Sequence, residues 1–221
     1  RNKSDRPGGY THGAGILGGG SPAIRGPLTI VPFQTGALTA VLTNSGRTVW
    51  NATVSGGRRG LARARLSDIT GDPVIDNDIV YTANQAGRMV SLDRRSGERN
   101  WTLQEGASGP ALPIGGSVFV VTDAAKLVRI DAETGDPIWS QALPEAQEIN
   151  NRNVVVPHYG PILAGGRLLV AGGDGMLRSF APVDGRPLGE VELGGFAAAP
   201  PALVGGILFV VCTDGTLRAF Q

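Results

Sequence analysis

The chain has 221 residues, 41% of them hydrophobic and 18% charged, with a formal net charge of +1. That content suffices for a buried core of one or two domains and excludes disorder by composition, and the near-zero charge gives no bulk attraction to nucleic acid or to an anionic membrane. Its single cysteine, Cys212, excludes an internal disulfide, and no apolar run is long enough to cross a bilayer.

Arg1–Gly20 holds seven glycines and no apolar alternation, so residues 1–20 read as a linker or loop. His12 lies there with no cysteine or second histidine beside it, which argues against a metal site. The chain begins at Arg1 rather than Met, and no signal peptide is read there, so a processed or trimmed product is expected.

The next stretch, Ser21–Trp50, is predicted to carry strands at Leu28–Phe33, Ala37–Leu42 and Thr48–Val54, with Asn44-Ser45-Gly46 turning the last pair. Its core phrase, GALTAVLTNSGRTVW at Gly36–Trp50, recurs as GRMVSLDRRSGERNW at Gly87–Trp101 and as AKLVRIDAETGDPIW at Ala125–Trp139. A fourth copy, Gly175–Gly189, has glycine where tryptophan is expected, and a short fifth, GTLRAFQ, ends at Gln221. Between the first two tryptophans lie 13 more residues than between the second pair, and this extra segment crowds Arg58, Arg59, Arg63 and Arg65. It reads either as a solvated loop or, since repeat insertions tend to gather on one functional face, as a partner-binding loop. A second insertion, Ala142–Gly160, ends in His158 and Tyr159. A lone histidine without a carboxylate or serine motif around it reads as structural.

Each repeat spells strand, Gly-Gly or Asn-Asp turn, strand, Asp-Gly or equivalent, strand, Ser/Thr-Gly turn, strand. Four antiparallel strands in about 40–45 residues is the size of a propeller blade. The expectation is an all-β chain with about four and a half blades, at roughly 21–57, 72–106, 107–145, 158–194 and 195–221, within 21–221. The inner strands should be apolar on both faces, as Val118–Val121 and Leu208–Val211 are, and each tryptophan should cover the seam to the next blade. Cys212, closing the second of these runs, reads as a small core residue. A fourth strand for the last blade is not found before Gln221, which suggests the C-terminal half of a longer protein.

The run Leu127–Gly135 followed by Trp139 resembles the PQQ-type β-propeller repeat, and that motif covers nearly all of Ser21–Gln221. A closer resemblance, carried by ARLSDITGDPVI (Ala64–Ile75), SPAIRG (Ser21–Gly26) and the ending TDGTLRA, is to the BamB family. Its members are propeller lipoproteins of the outer-membrane β-barrel assembly machine. The resemblance implies an eight-bladed ring, of which this chain is roughly the last half. It implies a non-catalytic scaffold at the periplasmic face of the outer membrane. Ile24, Arg25, Arg65 and Asp68 would dock on the POTRA domains of BamA, other assembly-machine subunits would lie nearby, and unfolded outer-membrane proteins are possible clients. Thr70 stands where the family has its second aspartate, and Pro22 where it has a leucine. The membrane would be reached only through a lipid on a cysteine outside this chain.

An exposed isoleucine beside an arginine suits an interface anchor, and Asp68 is placed to pin Arg25 or Arg65; a purely local Arg65–Asp68 pair is the alternative. The competing function is half of a quinoprotein dehydrogenase, which needs a quinone over Ca²⁺ and usually vicinal cysteines. The chain has none of the latter, and Asp93, Asp131 and Glu133 fall at repeat turns, where they are expected to satisfy backbone amides. No catalytic, cofactor or metal residue is therefore expected, and no nucleic-acid partner, since no aromatic residues interleave with the arginine cluster. A repeat scaffold with another protein partner is the third reading.

Overall fold

A computed structural model describes residues 20–33, 35–54, 69, 71–107, 109–149 and 152–221. The expected linker at 1–20, apart from Gly20, and with it His12, lies outside them, as does the arginine cluster of the first insertion. Every regular element among the described residues is a strand. The first sheet is β1 (Ala23–Arg25), β2 (Leu28–Pro32), β3 (Ala37–Leu42) and β4 (Thr48–Thr53). The second is β5 (Val74–Asp76), β6 (Ile79–Asn84), β7 (Arg88–Asp93) and β8 (Arg99–Leu103), and the third is β9 (Leu112–Ile114), β10 (Ser117–Val121), β11 (Lys126–Asp131) and β12 (Pro137–Ala142). A hairpin follows, β13 (Ala146–Ile149) and β14 (Arg152–Val155). The fourth sheet is β15 (His158–Ala164), β16 (Arg167–Gly172), β17 (Met176–Phe180) and β18 (Pro187–Glu192); the fifth is β19 (Ala202–Val204), β20 (Ile207–Val211) and β21 (Leu217–Phe220). Each sheet pairs its strands antiparallel in chain order, four strands in each of the first four and three in the fifth.

Period-2 alternation sends the two faces of each second strand in opposite directions. Val118 and Val120 join Tyr81, Met89 and Trp101 of the second sheet, while Phe119 and Val121 join Leu168, Val170 and Phe180 of the fourth. The core is thus a series of seams between consecutive sheets, the stacked-blade arrangement expected of a propeller. The inner runs 118–121 and 208–211 are second strands, each preceded by a shorter one: β10 is buried throughout because a strand flanks it on each side and a sheet covers each face. The first blade, expected from residue 21, likewise has a strand ahead of Leu28, β1, whose three residues, two of them exposed, are too few to show an apolar run.

Each of the first three seams is closed by a tryptophan. The indoles of Trp50, Trp101 and Trp139 lie against Gly97, Gly135 and Gly185 of the following blade, and a Cβ on any of these glycines would sit 2.6 Å from the ring. The indole N–H groups donate to Arg94 O (2.9 Å), Ala132 O (3.0 Å) and Pro182 O (3.2 Å) in the same turns. Two of these turns are bridged by aspartates: Asp93 Oδ1 accepts from the amides of Arg95 and Ser96, and Asp131 Oδ1 from those of Glu133 and Thr134. These bonds hold both carboxyls below the usual aspartate range, led by the Ser96 amide at Asp93 and the Thr134 amide at Asp131. Glu133 departs from expectation: it contributes its own N–H to the turn, and its carboxylate does not cap it.

Asn84 staples the first two blades. Its buried side chain donates to Val54 O at 2.9 Å and accepts from the amides of Ala86 and Arg88 at 3.0 and 2.9 Å. Asn84→Ala strands these groups and should cost about 2 kcal/mol of unfolding free energy, measured by urea denaturation. A value near zero would mean that the loop rearranges to satisfy them. The insertion Ala142–Gly160 proves to be largely the hairpin β13–β14, tied to the body by Gln147 Nε2 donating to Gly173 O at 3.4 Å. His158, at its base, is structural: it is buried and its Nε2–H donates to Pro144 O at 2.8 Å. Burial is the main reason its pKa is lowered. Cys212 is buried where it bridges to Ala197, as a core residue.

Candidate functional site

The docking residues expected from the sequence divide into two groups. Arg65, Asp68 and Thr70 lie outside the described residues. Ile24 and Arg25 are neighbours on β1, ahead of the Gly26-Pro27 turn. Strand alternation turns their side chains to opposite faces. Ile24 is 65% exposed, a large apolar side chain in water with no core seam to fill. Arg25 crosses to the second blade, donating from Nη1 to Ile75 O at 3.2 Å and from Nη2 to Asn77 Oδ1 at 3.4 Å.

The acceptors of Arg25 are ones that sequence reading did not single out. Asn77 stands at φ +50° in the β5–β6 turn, a conformation asparagine tolerates, and its Nδ2 donates to Asp76 Oδ1 at 3.2 Å. The signal was the Asp-Asn-Asp turn itself, which marks a hairpin but does not reveal that the first hairpin of the preceding blade lies beside it. Next in the same turn, Asp78 receives Arg94 at 2.7 Å and Arg95 at 3.2 Å. The Arg94 hydrogen bond is the main cause holding the Asp78 carboxyl below its ordinary range.

A second contact links the two ends of the candidate surface. Ile69 is buried, bridges to Asn84 and accepts the Gly20 amide at 3.1 Å. The chain at position 69, between two predicted docking residues, is therefore fixed against the start of the Ser21–Gly26 segment. Ser21 N also donates to Asp72 Oδ1. Among the described residues no three of His, Cys, Asp and Glu stand close enough to share a metal ion.

The family model described as outer membrane protein assembly factor BamB matches residues 4–141 and 104–188. This chain belongs to the BamB family. The curated BamB of Yersinia pestis is 26% identical over 207 residues, covering 93% of this chain and 50% of that protein. The BamB of Xanthomonas campestris pv. campestris is 30% identical over 207 residues, covering 92% and 48%. Both are named outer membrane protein assembly factors. The chain spans about half the length of the curated relatives it matches. In three dimensions it is similar to the crystal structure of BamB from Moraxella catarrhalis, with a TM-score of 0.80 at 18% identity, over 93% of this chain and 59% of that one. That likeness identifies the fold as a BamB-type propeller built of PQQ-like blades.

Proposed function

We propose that this chain acts as a non-catalytic scaffold in the assembly of outer-membrane β-barrel proteins, on the periplasmic side of the outer membrane. Its partner is the set of periplasmic POTRA domains of BamA, and it docks through Ile24, Arg25 and the segment carrying Arg65, Asp68 and Thr70. The observation that carries the reading is the β1 pair: an isoleucine 65% exposed beside an arginine whose guanidinium is held by the next blade. An apolar anchor next to a pre-positioned donor loses little side-chain entropy on binding, which is what makes such residues dominate an interface. Family membership supports the assembly role.

The test is binding to purified POTRA domains by surface plasmon resonance, with a melting curve for every variant. Arg25→Ala and Ile24→Asp are expected to weaken binding at least about tenfold, which corresponds to about 1.4 kcal/mol. The Arg25 bonds lie at the exposed rim, so Arg25→Ala should move the melting temperature by no more than about 2 °C. Asp68→Ala should behave alike. Unchanged binding in both β1 variants overturns the site, and a large drop in melting temperature makes Arg25 a structural strut.

A further inference from the structure

The seam between the third and fourth blades breaks the pattern of the two before it. Two residues after each seam tryptophan stand Ala52, Leu103 and Gln141. Ala52 and Leu103 press into their seams as apolar filler, whereas Gln141 turns aside and its Nε2 donates to Ala142 O at 3.3 Å. Facing them on the next blade are the cross-strand pairs Val90–Thr102, Val128–Ser140 and Arg178–Glu190. Val90 and Val128 are buried and apolar; their counterpart is an arginine with only 14% of its side chain exposed. The two replacements leave a cavity of about 230 Å³ at the edge of the seam. It opens where the hairpin β13–β14 leaves the sheet, at Pro144.

The charges around the cavity are fixed. Asp174 takes both terminal nitrogens of Arg178, and Arg178 Nε lies 3.4 Å from Glu190 Oε2. All three nitrogens of the guanidinium are committed, so the group is poorly placed to recruit an anion. One cation against two carboxylates leaves a formal charge of −1, and Glu190, 57% exposed, carries the accessible part of it. Gln141, Ser179 and Gly189 also line the cavity, and the rest of its wall is apolar, formed by Ala142, Pro144, Phe180 and Pro187. An apolar sleeve with a carboxylate at its mouth matches a cation on an aliphatic stem.

We infer that this cavity is a docking socket for a single lysine or arginine side chain of a partner protein, the stem lying against Ala142, Pro144 and Pro187 and the charged tip on Glu190. The inference rests on the third seam and does not depend on the POTRA docking reading, whose described residues, Ile24 and Arg25, are on the first blade. An apolar pair at these positions would have closed the seam as in the two preceding ones, and a buried arginine is a costly substitute for it.

The experiment is titration of the ¹⁵N-labelled protein with Nα-acetyl-lysine amide and Nα-acetyl-arginine amide, followed by amide chemical shifts. Saturable shifts at Gln141, Gly189 and Glu190 with millimolar affinity are expected for at least one of the two, as suits so small a ligand. They should weaken in raised salt. Glu190→Gln, on the exposed outer strand, should keep its melting temperature and bind at least about fivefold more weakly, because a charge-assisted bond becomes a neutral one. Four outcomes overturn the proposal: no saturable shifts with either probe, affinity unchanged in Glu190→Gln, binding of Nα-acetyl-glutamate amide in preference, or binding of putrescine without that of either capped amino acid.

Discussion

Trp101→Ala should lower the unfolding free energy by about 4 kcal/mol and the melting temperature by about 10 °C. The side chain is 7% exposed and joins Tyr81, Met89, Val118 and Ile130 in one cluster spanning two blades. Its ring lies 5.9 Å from that of Tyr81 at a tilt of 38°, and its N–H is used by Ala132 O. The alanine variant therefore loses apolar burial, an aromatic contact and a hydrogen bond together, and the glycine beneath cannot fill the space. Two further variants separate these parts. Trp101→Phe keeps most of the volume but leaves Ala132 O without its donor, and should cost about 1–2 kcal/mol. Gly135→Val should approach the damage of Trp101→Ala from the other side, since Gly135 stands at φ +80° and its new Cβ would collide with the indole. Calorimetry measures all three. A Trp101→Ala protein that melts within about 2 °C of the parent would show that the seams are not what holds the blades together.

The second large effect is expected at Asp174→Ala. This carboxylate, 10% exposed, takes the Arg178 guanidinium in a two-pronged bond, and removing it leaves a mostly buried cation with only Glu190 at 3.4 Å. Breaking a buried pair from one side costs about 3–5 kcal/mol, and the remaining Glu190 places this case near about 3 kcal/mol. Burial alone would raise the Asp174 pKa, but the hydrogen bonds and charge of Arg178 outweigh it and leave it lowered from 3.8. A carboxyl whose pKa falls on folding stabilises the native state above its unfolded value. That stabilisation is lost as pH drops from about 4 through the folded value. The difference between parent and Asp174→Ala should accordingly be full at pH 7 and shrink toward pH 3, followed by urea denaturation. A constant difference across that range would show that the carboxylate charge contributes nothing.

The repeat was legible because its signals are local. A strand buried on both faces must be apolar throughout, as Val118–Val121 is, and a tight turn at positive φ calls for glycine, as at Gly97 and Gly135. Register follows from the same pattern. Trp50, Trp101, Trp139 and Gly189 each pair with one strand position, Ala40, Ser91, Arg129 and Ser179. Strand β1 was less legible, because three residues, two of them exposed, carry too little periodicity to declare a strand. The hairpin β13–β14 was hidden for the same reason: the described side chains of its second strand are all exposed, so no alternation marks it.

By itself, then, the sequence determined the blade, its turns, its tryptophan and the exposure of an isoleucine beside an arginine, all of which depend on residues within one repeat. Only the tertiary structure decided what lies across each seam. It gave Arg25 to Ile75 O and Asn77 Oδ1 on the next blade. It set the Gly20 amide on Ile69 O, and it opened a cavity between Gln141 and Arg178. These contacts join residues about 37 to 52 positions apart in the chain, and their partners are fixed by how one blade stacks on the next, which no spacing within a repeat encodes.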